Sequence, residues 1–171
     1  MQHGCKRTKR ISQLMDFLPI DIDWRHSLSL LTHLAIAYAL ALPIGLDRQT
    51  SSRNFGLRTF PLVSVVSCGF MLVGLSVITS TDGEARVIQG IITGIGFIGG
   101  GAIFKGEDHV TGMASAASLW NTGAIGIAVA FNRFEIAIAL SLLNVVTLYL
   151  VGRLQKSVDT LHENDHDNPD A

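Results

Sequence analysis

Val87-Ile-Gln-Gly-Ile-Ile-Thr-Gly-Ile-Gly-Phe-Ile-Gly-Gly-Gly-Ala-Ile-Phe104 and, after a short polar break, Ala114-Ser-Ala-Ala-Ser-Leu-Trp-Asn-Thr-Gly-Ala-Ile-Gly-Ile-Ala-Val-Ala-Phe131 decide the fold. Ten of the 17 glycines lie between positions 87 and 131. In water each interior Gly costs a helix about 1 kcal/mol against Ala, so this density argues against soluble helices. In lipid, helix association depends on close backbone approach, which small residues permit. Gly90/Gly94 and Gly96/Gly100 have the four-residue spacing of such a seam, with Gly99, Gly101 and Gly126 as further packing positions. The stretch reads as two packed transmembrane helices joined by the turn Lys105-Gly-Glu-Asp-His109.

Gly94-Ile-Gly-Phe-Ile-Gly99 also matches the dinucleotide-binding fingerprint letter for letter. That fingerprint requires a preceding strand, a following helix and an acidic residue about 20 positions on. Position 114 is Ala, the flanks are apolar, and no second β-α-β pattern completes a doubly wound sheet. The match is discounted.

Outward from this stretch, the 171-residue chain is 48% hydrophobic and 16% charged, with charge gathered in the tails and short breaks. The apolar runs are long enough for a bilayer, which takes about 20 residues per helix. A formal net charge of −1 gives no global basic field, so nothing points to nucleic acid and none is expected as a partner. Cys5 and Cys68 form no CxxC motif or disulfide framework. The expected class is all-α: a polytopic bundle of about five transmembrane helices, with spans at 27–46, 60–80, two within 87–131, and 134–151. Domain limits are a tail at 1–26, a transmembrane domain at 27–152 and a polar acidic tail at 153–171. The N-terminal tail carries Lys6, Arg7, Lys9 and Arg10 ahead of a short amphipathic piece at 11–18 and lacks a cleavage pattern. It is either a lipid-headgroup contact or a solvated end.

Asp47, Arg48, Gln49, Arg53, Arg58 and Thr59 form the most informative polar segment, placed in a loop of about a dozen residues. One carboxylate among three guanidiniums makes a paired cluster, or the residues anchor helix ends at the interface. His33 is either a proton-relay group or a histidine bonded within the bundle. Asn121, inside a span, offers an interhelical hydrogen bond or a ligand role. Glu135 pairs with Arg133, and Asp82 and Glu84 cap the third span electrostatically. His162 and His166 have metal-ligand spacing, but the composition around them favours a disordered end. Seven basic residues on one side of the spans against six on the other leave the orientation unset.

The order of motifs, Ile44-Gly-Leu-Asp-Arg-Gln49, Gly56-Leu-Arg-Thr59, Gly94-Ile-Gly-Phe-Ile-Gly-Gly-Gly101, Ser115-Ala-Ala-Ser-Leu-Trp120 and Gly123-Ala-Ile-Gly126, resembles the MgtC/SapB family of bacterial inner-membrane proteins. The resemblance covers roughly residues 30–151. It implies a small inner-membrane bundle with a cytoplasmic C-terminal end, associated with growth in low magnesium, pathogen survival in macrophages and modulation of the F-type ATP synthase. Family members commonly have Glu at the position of Asp47, and some carry an ACT-like domain after the last span, whereas here a polar tail follows Val151.

No Walker loop or phosphorylated-aspartate motif is present in the sequence, so an ATPase is not expected. The leading expectation is a non-enzymatic inner-membrane protein supporting magnesium homeostasis or adaptation to low magnesium or acid. It would regulate another membrane complex such as ATP synthase, through Asp47, Arg48, Arg58 and Asn121. The alternative is a small transporter or channel for magnesium or another cation, disfavoured by the shortage of embedded carboxylates. No cofactor is expected; magnesium enters only as a transported or sensed ion, and the bilayer, a membrane partner and a homo-oligomer are the partners left open.

Overall fold

The computed structural model describes residues 23–51, 56–106 and 110–166, with side chains for 23–49, 56–106 and 110–153. Among these residues are five helices, α1 (Trp24–Ser51), α2 (Thr59–Val77), α3 (Thr81–Gly101), α4 (Met113–Ala130) and α5 (Phe134–His166). A two-residue antiparallel ribbon, β1 (Phe104–Lys105) with β2 (Val110–Thr111), joins α3 to α4 in the register Phe104 to Thr111 and Lys105 to Val110. The chain divides into Met1–Leu30 and Leu31–Ala171, and the second unit holds the bundle and the candidate site.

The all-α membrane bundle expected from the sequence is the fold. Four helices are long and apolar enough to cross a bilayer: Trp24–Gln49, Thr59–Val77, Met113–Ala130 and Phe134–Arg153. α3 has the length, at 21 residues, but begins with Asp82, Glu84, Arg86 and Gln89 and gains little apolarity from its glycines. It draws its place from its neighbours, packing on α2 and α4 through a narrow stripe in which Ile91, Ile95 and Gly99 are buried. The three fingerprint glycines lie inside this helix, with no strand before them.

α4 is the central element. It packs against α2, α3 and α5, and buries Leu119, Thr122, Ile125 and Val129 among Phe60, Cys68 and Met71 of α2 and Ala137 of α5. Close approach explains why so small a helix sits there: a Cβ on Gly123 would overlap the Ile95 side chain, and one on Gly126 would overlap the Ser64 carbonyl. Polar side chains tie α5 to the rest. Ser141 Oγ donates to the Leu40 carbonyl of α1 at 2.7 Å, and the His33 ring nitrogen bonds Asn132 Oδ1 at 2.9 Å. His33 is therefore bonded within the bundle. Asn132 takes a left-handed φ of 58° in the α4–α5 turn, which Asn tolerates.

Several boundaries differ from expectation. α1 runs to Ser51 rather than ending near position 46, because residues 47–51 contain no Gly or Pro and Arg48 in the last turn favours the carbonyl end of the helix. Pro43 lies inside α1 without ending it. α3 starts with a side-chain cap, Ser80 Oγ accepting from Gly83 N at 3.2 Å, with Asp82 and Glu84 in its first turn. The charged break at 105–109 is entered and left by the ribbon, whose two-residue strands are too short to give a period. α5 continues as helix through His166, so the disorder expected after Lys156 does not hold for that backbone; no Pro occurs before Pro169 in this stretch. The tail at 1–22, Arg53, the residues 107–109 and the His162 and His166 side chains lie outside the described residues.

Candidate functional site

The expected polar cluster begins at the corner where α1 hands over to α2. Asp47 and Arg48 are neighbours on the last turns of α1, not loop residues, and their side chains pair directly. Arg48 donates through Nη2 at 2.8 Å and Nε at 3.2 Å, both to Asp47 Oδ2. Arg48 is 9% exposed, an unusual burial for Arg that its aliphatic stem and the paired head make tolerable. Gln49 closes the corner: its Oε1 accepts the Leu57 backbone N–H at 3.1 Å, and Thr59 N bonds the Gly56 carbonyl at 3.0 Å.

Gly56 is what lets the corner close. It is buried under Gln49, and a Cβ there would overlap Gln49 Oε1 and stand 2.9 Å from Gln49 Cα. Earlier in the chain, Gly45 brings α1 against Leu57 and Pro61, with its virtual Cβ at 3.3 Å and 3.4 Å from their atoms. Arg58 precedes α2 with no side-chain cap bond and is exposed; Thr59 is half-buried. The structure thus joins Asp47, Arg48, Gln49 and Thr59 into one corner, with Arg58 on its outer surface.

Asn121 belongs elsewhere. It lies about 12 Å along α4 from Met113, and its Nδ2 donates to the Leu140 carbonyl of α5 at 3.2 Å. Beside it Ser118 Oγ donates to Asn144 Oδ1 at 3.2 Å, and a groove of about 280 Å³ runs past Ser118, Asn121, Asn144 and Thr147. These are bonds between helices, so Asn121→Leu is expected to lower bundle stability by about 1 kcal/mol, the usual worth of such a bond in lipid. Denaturant titration in bicelles measures it; an unchanged midpoint would mean the Leu140 carbonyl loses nothing.

The glycines separate into two groups. A Cβ on Gly99 would stand 3.5 Å from the Ala116 carbonyl oxygen and one on Gly126 would overlap the α2 backbone, in keeping with a packing role for both. Gly90, Gly94, Gly96, Gly100 and Gly101 have nothing within 4 Å of a virtual Cβ, so within one chain they do not form the expected α3–α4 seam. The reason is the direction in which α3 docks: its buried stripe is Ile91, Ile95 and Gly99, and those five glycines lie off that stripe, on the sides of the helix that also carry Phe97, 85% exposed. Gly45, Gly56, Gly74 and Gly123 also stand at close approaches; all but Gly74 lie in the motifs that carry the family resemblance, and Gly74 has no signal beyond being a glycine in an apolar span.

Comparison with known proteins gives the family. The MgtC family model matches residues 34–157, which include the whole corner, α2, α3, α4 and the membrane-crossing part of α5. The chain belongs to the MgtC family. Relatives include protein SrpB of Synechococcus elongatus, 32% identical over 153 residues, covering 82% of each chain. The putative magnesium transporter YhiD of Escherichia coli K12 is 32% identical over 65% of this chain and 55% of its own length. Protein MgtC of Salmonella typhimurium is 32% identical over 75% of this chain and 55% of its own. The chain therefore spans most of SrpB and about half of the other two. No solved structure is significantly similar to it. This MgtC-family chain is a multi-pass membrane protein whose candidate site is a helix corner holding a paired aspartate and arginine.

Proposed function

We propose that the protein is an inner-membrane component of magnesium homeostasis, serving adaptation to low magnesium or acid, and that it acts by engaging another membrane complex. The magnesium connection comes from the relative named as a putative magnesium transporter. Helical spans support an inner-membrane location, since bacterial outer-membrane spanning proteins are closed β-barrels.

The outward face of α3 carries the reading. Five glycines where an added Cβ would meet nothing within 4 Å each lower helix propensity by about 1 kcal/mol with no close packing in return. Phe97 stands between them as an exposed aromatic knob. A glycine groove on either side of a knob is a surface for a second transmembrane helix, which packs closely in lipid only where small residues allow it. The F-type ATP synthase is the candidate partner that the family resemblance supplies.

Ion conduction is the second reading, favoured by the name of the same relative. Against it, the Asp47 carboxylate is already taken up by Arg48, and a hard cation needs about six oxygens. Among the described residues no group of three or more His, Cys, Asp or Glu could hold a metal ion.

Gentle extraction from cells, with the co-purifying proteins identified, tests the reading. Gly94→Leu and Gly100→Leu are expected to be inserted and abundant, yet to lose the partner and low-magnesium growth together. Saturable magnesium flux into liposomes carrying the purified protein alone, abolished by Asp47→Asn, would replace regulation with transport.

A further inference from the structure

We propose that the α3–α4–α5 groove is a binding site for one anionic phospholipid, with an acyl chain in the groove and the phosphate on Arg133. The groove has a volume of about 440 Å³ and is walled by Ile88 and Ile92 of α3, Ala124 of α4, and Ile136 and Leu140 of α5. Its lining is apolar almost throughout, and the one ionic group among the lining residues is Arg133 in the α4–α5 turn.

Length and charge together select the occupant. From Phe131 to Trp120, both of which line the groove, α4 rises about 16 Å, half of the roughly 30 Å hydrocarbon core. The groove is therefore one leaflet deep. A transmembrane helix would overrun it, whereas an acyl chain of one leaflet would end within it. Arg133 stands at the end where a headgroup would lie, and a guanidinium matches phosphate oxygens bidentately.

The turn holds Arg133 in place for this. Its backbone N–H bonds the Ala128 carbonyl at 2.9 Å, its own carbonyl accepts from Ile136 and Ala137 N–H at 3.2 Å, and Asn132 is fixed by His33. Glu135 is the acidic group beside it, at 3.8 Å, with both side chains about two-thirds exposed. Such a long, wet pair is weak and does not block a phosphate.

Trp120 provides the readout, since it lines the groove and Trp24→Phe leaves it as the only tryptophan. The full chain carrying that change is placed in phosphatidylcholine vesicles, with brominated phosphatidylglycerol or brominated phosphatidylcholine titrated in. Brominated phosphatidylglycerol is expected to reach half-quenching at about fivefold lower mole fraction, the factor one basic residue near anionic lipid supplies. Arg133→Gln should bring the two lipids level, Arg133→Lys should keep most of the preference, and Ala124→Phe, which fills the groove while keeping the charge, should weaken quenching by both. Equal quenching by the two lipids in the parent protein, or a preference untouched by Arg133→Gln, overturns the proposal. So does a co-purifying protein that shields Trp120 from both lipids.

Discussion

Gly126→Ala is expected to be among the most damaging single-methyl changes in the bundle, lowering stability by about 3 kcal/mol, the upper part of the range for overpacked cores. The added Cβ would overlap the Ser64 carbonyl oxygen and stand 3.0 Å from both the Ser64 carbonyl carbon and the Cys68 amide nitrogen. All three atoms are α2 backbone. No rotamer change relieves them, so α2 and α4 must move apart. Phe60, Met71, Leu119, Ile125 and Val129, all fully buried, share that interface and lose contact with the movement. Denaturant unfolding in bicelles measures the loss, and lower abundance in cells follows from it. Gly94→Ala is the matched control. Its Cβ meets nothing within 4 Å, so the helix gains up to about 1 kcal/mol of propensity and the sign reverses. If both variants unfold alike, the α2–α4 distance is not set at Gly126.

That pair of glycines also shows how far the sequence could be read. Both lie in apolar, glycine-rich segments, and segment type was legible because a run of some 20 residues almost free of charge has one stable solution, a helix in lipid. The motif order identified the family, and the overall all-α bundle followed. Direction was not legible. From Ile91 onward α3 is apolar nearly all round, so no polar face opposite an apolar one says which side meets α4, and the Gly90/Gly94 spacing looks the same whether it faces in or out. The structure turns Ile91 and Ile95 inward and leaves the glycine pairs outside.

The polar corner was legible in composition and misplaced in geometry. Gly45 and Gly56 bracket Asp47-Arg-Gln49 as a loop-like segment, yet both glycines serve the crossing of α1 over the start of α2 rather than a break in α1. Asn121 carried the opposite difficulty. Its amide was conspicuous within a span, but its partner is a backbone carbonyl on α5, which has no sequence signature.

Asp47→Ala is expected to cost more stability than Arg48→Ala, although the two remove the same ion pair. The asymmetry comes from burial: the Arg48 side chain is 11% exposed and that of Asp47 31%. Without Asp47, the guanidinium is left in a dry site lacking the oxygen that received both its Nε and Nη2 bonds. Breaking a buried pair from one side costs about 3–5 kcal/mol; with the carboxylate partly wet here, about 2–3 kcal/mol is expected. Without Arg48, water can reach the carboxylate, and the loss falls to about 1 kcal/mol, near the value for exposed pairs. Asp47→Asn should lie between the two, since its side-chain oxygen still accepts from Arg48 while the opposite charge is gone. Unfolding of the three variants in bicelles at one pH gives the order directly. The reverse order, with Arg48→Ala the worst, would mean that packing of the arginine stem against the bundle outweighs the stranded charge, and Arg48→Met, which keeps the stem, would then recover most of the loss.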